Sequence, residues 1–219
     1  QDSAKAREWW LKAASQGHTD SQHNLGVLYD HGNGVKQDYV TARKWFLKSA
    51  TQGHPYSQYS LAVLYDTGQG VKKDYVKAHE WYLKSAQQDH TDSQFRLGLM
   101  YYKGEGVKLD YVKSREWYLK SASKGHDGSQ QNLGNIYLMG HGVKQDYKQA
   151  LEWLLKAAAQ GIPQSHFNLG IMYMHGHGVN RDLMRASEYF TKAASLGHAG
   201  AQQFVESMKG QLRQRRGSV

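Results

Sequence analysis

The 219-residue sequence has no cysteine. That excludes a disulfide framework and a thiolate metal site, and it leaves the redox compartment open. No apolar run approaches the roughly 20 residues of a transmembrane helix, so no membrane span is expected. There is no linker of shifted composition, and 39% apolar content with 12% aromatics is ample for a core. An initiator methionine is also missing. The chain starts at Gln1 and enters a repeat halfway, as expected of a processed chain or an excised fragment whose signal peptide would be lost from view. Acidic residues are the scarcer charge, 19 against 28 Lys and Arg, for a formal net charge of +9. Lys209, Arg213, Arg215 and Arg216 concentrate part of that excess near the C-terminus.

What is present is a repeat of constant length. The stretch from His18 to Gly53 recurs as His54 to Asp89, His90 to Gly125, His126 to Gly161 and Ile162 to Gly197. Trp9, Trp45, Trp81, Trp117 and Trp153 keep this register, with Tyr189 in the sixth place. Self-similarity of this kind marks a solenoid, in which stacked units share one continuous core. The expected organisation is one repeat domain over 2–210. It comprises a half unit 2–17, repeats 18–53, 54–89, 90–125, 126–161 and 162–197, and a C-terminal helix 198–210, followed by a mobile basic tail 211–219.

Each unit reads as two helices. The first, about 20–31 in the opening repeat, carries Leu25, Leu28 and Tyr29 at helical spacing. Pro55 and Pro163, the only prolines, stand at its start, where a missing N–H is harmless. It ends at a glycine pair such as Gly32 and Gly34, where positive φ lets the chain reverse. Asp38 and its equivalents then stand as N-caps of the second helix. The expected apolar face of that helix is Ala42, Trp45, Phe46 and Ala50, approaching the Gly26 column closely.

The run L-G-x-x-Y, G-x-G-V-x-x-D and A-x-x-W-[FY]-x-K-[AS]-A with a closing Gly resembles the Sel1-like repeat, a relative of the tetratricopeptide repeat. In the opening unit Leu25, Gly26, Tyr29, Gly32, Gly34, Val35, Asp38, Ala42, Trp45, Phe46, Lys48 and Ala50 fill the pattern. Ala62, Ser114, Asp89 and Tyr189 depart from it. The resemblance implies an all-α, right-handed α/α superhelical solenoid with a concave face lined by first helices. It also implies an adaptor role, often in bacterial envelope, signalling or host-contact systems, and with it a periplasmic or secreted location.

Motifs of catalysis find little support. The G-x-G pairs lack the third glycine of a dinucleotide loop and follow helices rather than strands. Ser121 and Lys124 match S-x-x-K, and a Cys-rich branch of the family resembled is linked to penicillin binding. S-D-N, K-T-G and cysteine are all missing, however. The column His18, His54, His90, His126 and His198 reads as N-caps or loop residues. His141, His175 and His177 form the better metal cluster, yet no metal or cofactor is assigned. No enzyme activity is expected.

The first-helix positions that vary between repeats, the columns of residues 20, 23, 27 and 30, face away from Leu25 and Tyr29. The expected groove consists of His23, Tyr56, Tyr59, Phe95, Arg96, Leu99, Tyr102, Leu138, Phe167, Asn168 and Met174. Contact between successive first helices is the alternative for the Val27, Val63, Leu99 and Ile171 column. The expected function is a non-enzymatic scaffold for a protein or peptide partner, since a contiguous apolar strip calls for a cover. A second reading is polyanion binding through Lys48, Lys84, Lys120 and Lys156 and the Arg-rich tail. No aromatic platform interleaves with those lysines, so no nucleic acid is expected.

Overall fold

A computed structural model describes residues 2–206, with side chains from Lys5 onward. The tail from Gln211, expected to be mobile, and the end of the expected C-terminal helix lie outside the described residues. Among the described residues all regular structure is helical. The helices are α1 Asp2–Ser15, α2 Thr19–His31, α3 Tyr39–Thr51, α4 Pro55–Thr67, α5 Tyr75–Gln87, α6 Thr91–Lys103, α7 Tyr111–Ser123, α8 Asp127–Met139, α9 Tyr147–Ala159, α10 Pro163–His175 and α11 Leu183–Ser195. Residues 201–206 are also helical. Consecutive helices pack as pairs, α2 with α3, α4 with α5, α8 with α9 and α10 with α11. The chain forms two compact units, Gln1–Asp110 and Tyr111–Val219, and each is taken by itself below.

Caps at both ends hold the first helices. His18, His54, His90 and His126 accept the N–H of the serine three residues on, through Nδ1 at 3.1–3.3 Å. A neutral imidazole thus serves where Asp or Ser usually caps. At the other end Gly32, Gly68, Gly104, Gly140 and Gly176 are left-handed and return an N–H to the carbonyl four residues back. The second glycine of each pair has another task. A Cβ on Gly70 would lie 2.5 Å from the Tyr39 backbone carbon, and one on Gly142 would lie 2.7 Å from Tyr111 Cβ. These glycines let one repeat's turn sit against the start of the preceding second helix. Asp38, Asp74, Asp146 and Asp182 cap second helices as expected.

The core differs from expectation at one column. Phe46 and Tyr82 in the first unit, and Tyr118, Leu154 and Phe190 in the second, are the large, fully buried side chains of the second helices. The ring immediately before each, Trp45, Trp81, Trp117, Trp153 or Tyr189, is only half-buried, and Trp9 in the same column is 70% exposed. One helical step of 100° separates the two, and the first column faces the small residue of the first helix. A Cβ on Gly26 would lie 2.4 Å from the Phe46 ring, and one on Gly134 would lie 2.5 Å from Leu154 Cγ.

Repeats are also tied by amide ladders. Gln52 donates to Gln22 at 2.7 Å, Gln88 to Gln58 at 2.8 Å and Gln160 to Gln130 at 2.8 Å. The acceptors Gln22, Gln58 and Gln130 are buried and themselves donate to Ala14, Ala50 and Ala122 carbonyls. Buried polar groups satisfied this way add register to an otherwise apolar stack.

Candidate partner-binding face

In the first unit the variable face of α2, α4 and α6 carries a band of rings. His23 lies 5.7 Å from Phe46 and 4.8 Å from His54, centroid to centroid, and Tyr56 follows at 5.8 Å from His54. Tyr56 then meets His90 edge-on at 4.9 Å, and His90 meets Tyr59 at 4.9 Å. The band ends inward on the buried Tyr82, 5.7 Å from Tyr59. Tyr56 is 58% exposed, while His23, Tyr59, Phe95, Arg96, Leu99 and Tyr102 are half-buried.

Polar contacts order this band. Ser57 donates its hydroxyl to Ser49 at 2.8 Å and is left to accept from His23 Nδ1–H at 2.9 Å. His54 uses Nδ1 to cap α4, which places its proton on Nε2, 3.3 Å from Asp20. Burial, reinforced by the neighbouring His54, lowers the pKa of His23 from 6.5 to about 4, so its ring is neutral at physiological pH. Farther along, the Tyr82 hydroxyl donates to Asp66 at 3.2 Å, and Arg96 lies 3.9 Å from the same carboxylate. Burial pushes the Tyr82 phenol up, and the Asp66 charge adds to the effect.

The face of the second unit is different. Leu138 is a core residue, packed with Ala150, Leu154 and Leu169, and is not available to a partner. Met174 and Phe167 pack against the cluster of Leu183, Ala186 and Phe190. Phe167 is also stacked on His198 at 4.2 Å and touches Phe204 at 5.1 Å. What this face presents is an amide chain, with Asn168 donating to Asn135 at 2.6 Å and Gln164 donating to Asn168 at 3.0 Å.

Sequence reasoning passed over the charges in the same columns. Asp20 and Asp92 share a column with Tyr56, and Asp30 and Asp66 share one with Tyr102. The spacing that selected the aromatics would have found them. His54 and His90, read only as caps, also carry part of the ring band.

Other candidates resolve into structural roles. Ser121 is fully buried and Lys124 is exposed, so the serine of S-x-x-K has no open approach. His141 is stacked on Tyr111 and His177 on Tyr147, each at 4.8 Å, and His175 stacks on His177 at 5.5 Å. Among the described residues no group of three or more His, Cys, Asp or Glu is placed to hold an ion. Lys48, Lys84, Lys120 and Lys156 stand over Trp45, Trp81, Trp117 and Trp153 at 4.1–4.5 Å from the ring centroids. That contact gives the recurring lysine a role within its own helix, and it corrects the expectation that no aromatic ring interleaves with these lysines, which rested on a buried tryptophan column. No helix among the described residues is long and apolar enough to cross a membrane.

The repeats match the Sel1 repeat family model over residues 1–18, 19–54, 55–90, 91–126, 128–162 and 163–198. Among solved structures, a protective antigen of uropathogenic Escherichia coli strains displaying an SLR fold is 36% identical with a TM-score of 0.87, over 90% of this chain and 42% of the antigen. The chain therefore spans less than half the length of that relative. A Sel1 repeat protein from Oxalobacter formigenes is 29% identical with a TM-score of 0.82, covering 91% and 85% of the two chains. A putative Sel1 repeat protein from Klebsiella pneumoniae, at 18% identity and TM-score 0.56 over 93% and 99%, shares the fold alone. No curated protein sequence matches the chain. Sel1 repeat proteins are in general non-enzymatic scaffolds for protein–protein interaction. With paired helices, glycine turns and matches running through every repeat, the chain belongs to the Sel1 repeat family.

Proposed function

We propose that this chain is a non-enzymatic adaptor that takes up a segment of a partner protein along the first-helix face of its first unit. The observation that carries this reading is the ring band from His23 to Tyr59, with Tyr56 58% exposed at its centre. Phe95, Leu99 and Tyr102 extend it along α6. Large rings that stay partly in water although the core is filled by other columns are the usual anchors of an interface. In the second unit Asn168 offers a polar edge, whereas Phe167 and Met174 serve the core first. The similar E. coli protein is described as a protective antigen, which favours an envelope or host-contact setting for this chain too.

The test is partner capture followed by titration. Phe95→Ala, or Tyr59→Ala with Tyr102→Ala, should keep the helical circular dichroism and cost about 2 kcal/mol of partner affinity. Lys84→Ala and Lys120→Ala should leave affinity nearly unchanged. Loss of the partner in the lysine variants with retention in the aromatic ones would place the interface on the second helices instead.

A further inference from the structure

Charge divides between the two helices of a repeat. In the first unit α2, α4 and α6 carry Asp20, Asp30, Asp66 and Asp92 against Arg96 and Lys103, whereas α3 and α5 carry Arg43, Lys44, Lys48, Lys77 and Lys84 against Glu80. The carboxylates occupy the two outer columns of the ring-bearing face. Asp20 and Asp30 are ten residues apart on one helix, or about 15 Å, so the two columns flank the aromatic strip. We propose, on the footing of the docking face described above, that the segment it takes up is basic, with Lys or Arg side chains interspersed among apolar ones.

The geometry gives each part of such a segment a place. Tyr56 stands between Asp20 and Asp92 in one column across successive repeats, and its ring is mostly in water. A Lys or Arg stem can lie on that ring while its head reaches a carboxylate, combining cation–π attraction with an ion pair. His54 sits 3.3 Å from Asp20, but burial lowers its pKa, so the neutral ring donates a hydrogen bond without cancelling the charge. In the other column Asp66 has Arg96 at 3.9 Å and Asp30 has His31 at 3.6 Å. An acidic segment would meet carboxylates on both sides. The net charge of +9 favours the opposite partner, but at 0.1 M salt charges act over only about 10 Å, so the local face decides.

The probes are two fluorescent peptides of equal length and identical Leu and Ser content, one with Lys wherever the other has Glu, titrated against the full chain by anisotropy. The Lys peptide should bind roughly tenfold tighter at low salt, and the preference should shrink as salt rises. Asp20→Asn with Asp92→Asn should abolish most of the preference, while Lys48→Gln with Lys84→Gln should leave it intact. Tighter binding of the Glu peptide, equal binding, or no binding of either overturns the inference, as does a preference that survives the Asp variants. Lys-peptide binding that the Asp variants weaken but Tyr56→Ala and Phe95→Ala leave untouched would keep the charge assignment and remove the aromatic face from the proposed function.

Discussion

The imidazoles of His23 and His54, from successive repeats, lie 4.8 Å apart and share Ser57, whose N–H caps onto one and whose hydroxyl bonds the other. Phe46, Tyr56 and Asp20 complete their surroundings. Burial lowers both pKa values in the folded state, that of His23 to about 4 from 6.5. The unfolded chain therefore binds protons that the native state refuses. This contribution to stability is complete above about pH 6.5 and is lost as pH falls toward 4, on the order of 1–2 kcal/mol after allowance for partial exposure. Urea midpoints measured across that range should decline, and His23→Gln, which installs the residue type found at Gln131, should flatten the decline. An unchanged slope would refute the buried-pair account.

Two left-handed glycines should respond differently to alanine. Gly161 has φ +83° with open space around its missing Cβ, whereas at Gly142, φ +65°, a Cβ would stand 2.7 Å from Tyr111 Cβ. Gly161→Ala should cost about 1 kcal/mol through backbone strain alone. Gly142→Ala adds a clash with the neighbouring helix and should cost at least about 2 kcal/mol. Equal thermal shifts would show that the second turn glycine does not serve repeat contact.

Asp89 is the one non-glycine residue with positive φ among the described residues, at 66°, in a column otherwise closed by glycine. Asp89→Gly should relieve that strain and forfeit the 3.2 Å bond from Gln94. A net gain of a few tenths to about 1 kcal/mol is expected by chemical denaturation. A loss would mean that the side-chain contacts of Asp89 outweigh the strain.

Adjacent aromatics on α5 should separate sharply. Tyr82 is fully buried, and Tyr82→Ala should cost about 3–5 kcal/mol. Trp81, half-buried and covered by Lys84 at 4.1 Å, should cost about 1–2 kcal/mol on the same change. The reverse order would restore tryptophan to the core.

The helix boundaries were legible because their signals are local. A histidine or Pro at the start of α2 and α4, a glycine at the end and an Asp before α3 and α5 act within four residues of themselves. The aromatic columns of the face were legible for the same reason, from helical spacing on α2, α4 and α6. The exclusion of Leu138 was not, because its burial depends on α9 and α10 rather than on its own helix.

By itself the sequence determined the period, the paired helices, the caps and the family, since a motif repeated in register leaves the backbone little choice at each turn. Only the tertiary structure decided which of two adjacent rings, Trp45 or Phe46, enters the core, because that depends on how closely Gly26 lets the facing helix approach. It alone also placed Gly142 against Tyr111 and joined His23 to His54. Those contacts lie between repeats, where the geometry of stacking, and not the pattern within one unit, sets the distances.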